Sequence, residues 1–161
     1  MRNSIRMLAV FSFFAAATAY AAPSNDGPWT GGWTNLLASN SMGQVFLAES
    51  YSIWGVDIDL LTGNPGAATS DTLTLSLVDA ATNVELARAT NAFADGFSGW
   101  GRFAFGKKIP VQPGQKLILR VWDTGTLLLG WKYGENAYAN GYAIQLGVMR
   151  PEYDFRFRVN P

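Results

Sequence analysis

The chain has no cysteine and no histidine, and charged residues fill only 15% of its 161 positions. Without cysteine there is no disulfide, no thiolate nucleophile and no Cys-type metal site. Without histidine the imidazole base and the commonest zinc ligand are gone. Ser-His-Asp and Cys-His catalysis are thereby excluded. Twelve basic residues balance twelve acidic ones, so no strong field points to nucleic acid or an anionic membrane surface. No Gly-rich phosphate loop of the proper spacing occurs. A hydrophobic share of 48% with 14% aromatics argues against a disordered acidic or basic tail. Beyond the N-terminal stretch, no segment is long and apolar enough for a membrane span.

That stretch, residues 1–21, reads as a secretory signal. Arg2 and Arg6 supply the positive start, Met7 to Ala17 is an apolar run, and Ala19-Tyr20-Ala21 places small residues at the two cleavage-recognition positions, with the cut before Ala22. A transmembrane anchor is the alternative, but about 11–15 apolar residues fall short of the roughly 20 a spanning helix needs. A lipoprotein anchor would need a cysteine to acylate. Removing the signal takes Arg2 and Arg6 with it and leaves 140 residues, ten basic and twelve acidic, for a net charge of −2. A secreted domain of that size, periplasmic or extracellular, has no disulfide and must rely on its hydrophobic core. Residues 22–42, with Pro23, Asn25, Asp26, Gly27 and Pro28, read as a flexible lead-in and a first edge segment. Residues 43–161 read as the folded domain.

Period-two alternation runs through that domain. Trp54, Val56, Ile58 and Leu60 share one face of a strand, with Gly55, Asp57 and Asp59 on the other. Leu73, Leu75 and Leu77 alternate with Thr72, Thr74 and Ser76; Phe103 and Phe105 with Arg102 and Ala104; Phe155, Phe157 and Val159 with Arg156 and Arg158. Tyr142, Ile144, Leu146 and Val148 make a further run, and strands are expected near 44–48, 84–90, 116–122 and 127–133. Turn signals separate them, among them residues 62–66 and 79–83, Asp95-Gly96, Pro113-Gly114 and residues 123–125. Eight to ten short strands, each with one wet face, imply an all-β, antiparallel β-sandwich of jelly-roll type.

Several stretches in order carry a resemblance: Gly43-Gln44-Val45-Phe46, Ile53-Trp54-Gly55-Val56-Asp57-Ile58, the Gly63-Asn64-Pro65-Gly66 turn, Leu73 to Ala80, Glu85-Leu86-Ala87 and Trp100 to Phe105. Residues 110–117, Leu129-Gly130-Trp131, residues 137–142 and the closing Tyr153 to Val159 follow. Through their order and spacing the chain resembles a jelly-roll module of secreted bacterial proteins, similar to non-catalytic carbohydrate-binding domains. The resemblance implies the fold and a sugar-binding role, while the ligand stays open, because sandwiches host many functions.

Flat aromatics stack on sugar rings while nearby polar groups bond the hydroxyls. The cluster with that composition is Trp122, Asp123, Trp131, Tyr133, Glu135, Asn136, Tyr138 and Asn140. Trp122 and Arg120 lie opposite Leu117, Leu119 and Val121. If those three face the core, Trp122 and Arg120 stand together on the surface. The expected ligand-binding residues are therefore Trp122, Arg120, Trp131, Tyr133, Asn136 and Tyr138, each with packing in the core as its alternative. Trp54, Trp100 and the phenylalanines are expected in the core.

No cofactor is expected, with one structural calcium as the alternative. Its oxygen donors would come from Asp57, Asp59, Asp71, Asp154 or the Asp79/Asn83 turn, although no EF-hand spacing occurs. For Asp79 and Asp95 the preferred reading is a turn cap. Asp57 and Asp59 stand about 7 Å apart by strand rise, within range of an inverting glycosidase pair, although two acids on a wet strand face usually form a solvated pair. Arg156 and Arg158 could grip acidic sugars or a partner's carboxylates, or could serve as charges guarding an edge strand.

Three readings follow. The first is a secreted, non-catalytic, lectin-like protein binding a glycan or cell-surface polysaccharide through Trp122 and the 127–141 region. The second is a structural or adhesive extracellular protein acting through a protein partner or self-assembly. The third, and least favoured, is a hydrolase or lyase acting on polysaccharide. Exposure separates the first two. A surface shared by Trp122, Trp131 and Tyr138 favours sugar, and inward-pointing rings favour the structural reading.

Overall fold

Alternating apolar and polar residues form strands because successive side chains point to opposite faces, so one face can be buried while the other stays wet. The computed structural model describes residues 22–27, 29, 32–36, 42–63, 70–123, 129–135 and 138–161. The signal expected at residues 1–21, residues 64–66 of the expected turn, residues 127 and 128, and Asn136 lie outside the described residues. Among the described residues the regular structure consists of thirteen strands: β1 (Ser24–Asn25), β2 (Gly32–Leu36), β3 (Met42–Leu47), β4 (Ser52–Thr62), β5 (Ser70–Asp79), β6 (Glu85–Ala94), β7 (Ser98–Pro110), β8 (Lys116–Asp123), β9 (Leu129–Glu135), β10 (Tyr142–Gln145), β11 (Val148–Arg150), β12 (Tyr153–Phe155) and β13 (Phe157–Asn160). Among the described residues no helix is long and apolar enough to cross a membrane.

The strands make two antiparallel sheets packed as a sandwich. One runs β11-β10-β3-β8-β5-β6. The other runs β1-β13-β4-β9-β12, with β2 also on β9 and β7 also on β4. The pairings β3–β10, β4–β9 and β5–β8 nest inside one another, and β6 lies beside β7 within that nest. Such nesting is the winding of a jelly roll. Leu73, Leu75, Leu77, Leu117, Leu119 and Val121 meet Val56, Ile58, Leu60, Phe103, Trp131, Phe155 and Phe157 between the sheets. Each such side chain contributes about 1.5–3 kcal/mol on burial.

The strand count exceeds the expected eight to ten for identifiable reasons. The run expected through Val148 folds back on itself, because Leu146 and Gly147 take φ of 54° and 76°. Two consecutive residues at positive φ make a two-residue hairpin turn. The closing run is interrupted at Arg156. The segment expected to lead in is paired as well, with Ser24 and Asn25 opposite Arg158 and Phe157. Trp54 departs from its expected face: a register shift between Ile53 and Gly55 breaks the alternation, burying Ile53 and leaving Trp54 exposed.

A buried polar bridge crosses the core. Gln44 on β3 donates from Nε2 to Asp154 Oδ1 at 2.7 Å, and its Oε1 accepts the Phe155 amide at 2.8 Å. Asp154 Oδ2 accepts the Tyr138 amide at 3.0 Å. Asn25 Nδ2 donates to the carbonyls of Asp154 and Phe155, both at 3.2 Å. Four segments distant in sequence thus share one set of bonds. Replacing Gln44 by Leu leaves the Asp154 carboxylate and the Phe155 amide short of partners, and is expected to cost about 2–3 kcal/mol in urea unfolding. A cost below about 0.5 kcal/mol would show that the bridge contributes nothing net.

Tyr138 packs in the same region, its ring edge-on to Phe157 at 5.4 Å and its hydroxyl accepting the Leu47 amide at 3.2 Å. Burial, reinforced by the Glu49 and Asp154 carboxylates, holds its phenol above the ordinary tyrosine value. The neutral phenol's contribution to stability is therefore complete below about pH 10 and is lost as pH rises from there through the folded-state value. Tyr138→Phe should flatten the alkaline fall in stability measured by denaturant titration. An unchanged alkaline slope would contradict this.

Candidate functional site

The structure does not bring the expected aromatic cluster to one surface. Trp131 is fully buried and stacks on Phe155 at 4.3 Å. Tyr138 is in the core, and Tyr133 is half-buried against Tyr153 at 4.4 Å. Asn136 lies outside the described residues. Trp122 and Arg120 do stand on the outer face of the β11–β6 sheet, as the burial of Leu117, Leu119 and Val121 requires. There Arg88 sits 5.2 Å from the Trp122 ring, and Arg120 donates to Asn83 Oδ1 at 2.5 Å. Arg120 also lines a cleft of about 270 Å³ with Met42, Gly43, Ile144 and Gly147.

The opposite outer face, on the β4-centred sheet, carries the denser chemistry, and its origin is topological. β4 pairs β13 through Gly55–Ile58 and β9 through Leu60–Thr62, while β9 pairs β12 through Tyr133–Glu135. All three pairings are antiparallel, which three straight strands side by side cannot satisfy. The strand is interrupted at Arg156, and the residues between the paired runs are Asp59, Lys132 and Arg156. The Asp59 amide donates to the Arg156 carbonyl at 3.2 Å, and the Arg156 amide to the Lys132 carbonyl at 2.9 Å. The same three side chains close the junction. Lys132 Nζ donates to Asp59 Oδ1 at 2.9 Å, and Arg156 Nη1 donates to Asp59 Oδ2. Asp59 is 3% exposed and Lys132 6%.

Strand register places Trp33 opposite Lys132, Trp100 opposite Asp59, and Arg102 and Arg158 opposite Asp57. Partners in register point to the same side of a sheet, so these residues form one face. Its aromatics sit against its cations. Lys132 Nζ is 4.9 Å from the Trp29 ring, and the Trp100 ring lies 5.1 Å from the Arg156 guanidinium and 4.0 Å from that of Arg158. Trp29 and Trp33 remain 44% and 39% exposed. Both are held in place. Trp29 Nε1 donates to the Gly32 carbonyl at 2.8 Å, and Trp33 lies so close over Gly130 that a Cβ there would stand 2.5 Å from its ring. Glycine at 130 is the seat of the Trp33 ring.

The expected wet pair, Asp57 and Asp59, is mostly buried, because cations and rings from distant strands cover it. Both oxygens of each carboxylate accept from cations: Asp57 from Arg102 Nε and Nη2 at 3.0 and 3.3 Å, Asp59 from Lys132 and Arg156. The other acids proposed for calcium are also engaged. Asp154 is in the core bridge, and Asp71 Oδ1 accepts the Thr72 amide at 2.7 Å. Among the described residues no three acidic side chains gather where one ion could be held.

Trp100 was expected in the core and instead lies on this face. Its signal was present in the alternation, since it stands two residues before Arg102 and three before the buried Phe103. Trp33 carried the same kind of signal, alternating with Gly32 and Thr34 inside the presumed lead-in. Nothing local announced Lys132, whose role depends on a strand partner 73 residues away.

Removing the shared carboxylate would leave the buried Lys132 and the part-buried Arg156 without their counter-ion. Asp59→Ala is therefore expected to cost about 3–5 kcal/mol in denaturant unfolding, whereas Arg102→Ala, on an exposed pair, should cost less than about 1 kcal/mol. Equal costs would mean that the junction does not depend on Asp59. No protein-family model matches the chain, and no curated protein matches it in sequence.

Proposed function

We propose that the protein is an exported, non-catalytic carbohydrate-binding β-sandwich that holds its glycan across the outer face carrying Trp29, Trp33 and Trp100. The observation that carries this reading is the pair of exposed, anchored indoles, Trp29 and Trp33, above a buried ion cluster. Flat apolar rings next to fixed polar donors and acceptors are what a sugar ring requires. Because both indoles are already held by the protein, stacking a sugar on them costs little side-chain entropy. The jelly-roll resemblance points the same way, with the site moved from the Trp122 cluster to the opposite sheet. A hydrolase or lyase is disfavoured because both Asp57 and Asp59 are already engaged by Arg and Lys. The N-terminal signal pattern supports a periplasmic or extracellular location.

A second reading, attachment to a protein partner, rests on the β10–β11 hairpin, where Leu146, Val148 and Met149 are exposed together at a sheet edge.

Retention on insoluble polysaccharides, with tryptophan fluorescence as a parallel readout, tests the preferred reading. Trp29→Ala and Trp33→Ala should each weaken retention about tenfold or more, the equivalent of some 1.4 kcal/mol, while the loss of the Lys132 contact in Trp29→Ala costs no more than about 1 kcal/mol of stability. Trp122→Ala should leave retention intact. Loss only in Trp122→Ala would move the site to the other sheet, and failure of the folded wild type to retain any glycan would favour the protein-partner reading.

A further inference from the structure

Taking the saccharide-binding role of this face as given, we infer that its ligand is anionic: a saccharide carrying carboxylate or sulfate groups. Among the described residues, the face carries four cations (Arg102, Lys132, Arg156 and Arg158) against three carboxylates (Asp26, Asp57 and Asp59). Arg102 is matched by Asp57, and Arg158 by Asp26 at 3.2 Å. The surplus positive charge is therefore at the junction, where Lys132 and Arg156 divide a single carboxylate between them.

Most of the remaining donors there are met by neutral groups. Lys132 Nζ also donates to Ser98 Oγ at 3.1 Å and faces the Trp29 ring. Arg156 Nη2 donates to the Gly27 carbonyl at 2.7 Å and more weakly to that of Asp26, and its buried Nε has no acceptor. A buried charge without a full counter-ion is costly, and an anion brought over it recovers part of that cost. A neutral sugar stacked on Trp29 recovers none of it. The surplus is also local, because the chain beyond the signal has more acids than bases. Arg158 and Arg102, whose side chains are 42% and 69% exposed, stand at the surface where a carboxylate or sulfate could reach a guanidinium fork. The flat indoles beside them favour a charged sugar ring over a small inorganic anion.

Titration of the mature protein separates these possibilities. Uronate oligosaccharides, sulfated oligosaccharides and neutral gluco-oligosaccharides of matched length would be compared at about 20 mM and about 300 mM salt, between which charge screening strengthens markedly. The expected result is at least about tenfold tighter binding of one anionic class than of the neutral series at low salt, with several-fold loss of that preference at high salt. The uronate and sulfate arms tell the two sources of charge apart. Arg158→Gln should reduce binding of the preferred anionic class about fivefold or more and binding of the neutral series by much less. Trp29→Ala should reduce binding of both classes.

Equal, salt-independent binding of neutral and charged sugars that still depends on Trp29 would overturn the charge inference and leave the binding face standing. Anionic binding unaffected by both Arg158→Gln and Trp29→Ala would place the ligand elsewhere and overturn it too. If no saccharide binds the folded protein, the inference and the binding reading both fail.

Discussion

A buried lysine and a part-buried arginine share one buried carboxylate at the point where three strands meet, and the chemistry of one whole face follows from that arrangement. Pairwise antiparallel ladders among β4, β9 and the β12–β13 segment cannot run as three straight strands side by side, so the three ladders part at a common centre. Asp59, Lys132 and Arg156 occupy that centre, and their main chains complete the hydrogen bonding between the separated ladders. Burying charges at such a point costs desolvation, which is recovered only when the geometry is good and the remaining donors are met. Ser98, the Asp26 and Gly27 carbonyls and the Trp29 and Trp100 rings meet most of them. The indoles are thus part of the support for the ion cluster as well as the surface presented to solvent.

This double use explains how exposed tryptophans are tolerated on a small domain. One side of Trp29 rests against the Lys132 ammonium, and Trp33 rests on Gly130. The other face of the sandwich is organised differently. There Trp122 is half-buried and partnered by Arg88, which is itself tied to Glu85 at 2.7 Å. That arrangement consists of local, solvent-exposed pairs and contains no buried charge. Among the described residues the two outer faces therefore offer different chemistry, and only the β4-centred one couples aromatic surface to buried charge.

Much of the architecture was legible in the alternation. Leu73, Leu75 and Leu77, and Leu117, Leu119 and Val121, face the core where their period placed them. Asp79 caps its turn by accepting from Ala81 and Thr82, and bonds from Gln115 and then Thr82 hold its carboxyl below the ordinary value. The placement of Trp122 and Arg120 together on a surface followed from the same periodicity. What was not legible depended on events that period-two reading does not contain. A bulge exposed Trp54. A turn at Leu146 converted a strand into a hairpin. Tyr138 went inward because Leu47 and Asp154 offered partners for its hydroxyl and amide. Asp57 and Asp59 alternate as solvent-facing residues do, and their burial comes from Arg102, Lys132 and Arg156, brought beside them only by the fold. Local pattern tells which way a side chain points, but not what comes to cover it.

Native-state hydrogen exchange, followed amide by amide, tests the dependence of the fold on the junction most directly. The amides of Asp59 and Arg156, both bonded at the junction, are predicted to exchange only through global unfolding, with the same protection free energy as the central amides of Leu75 and Leu119. Exchange of the Asp59 and Arg156 amides through a local opening several kcal/mol below that limit would contradict the account, because the junction would then be a separable surface feature on a sandwich held together elsewhere.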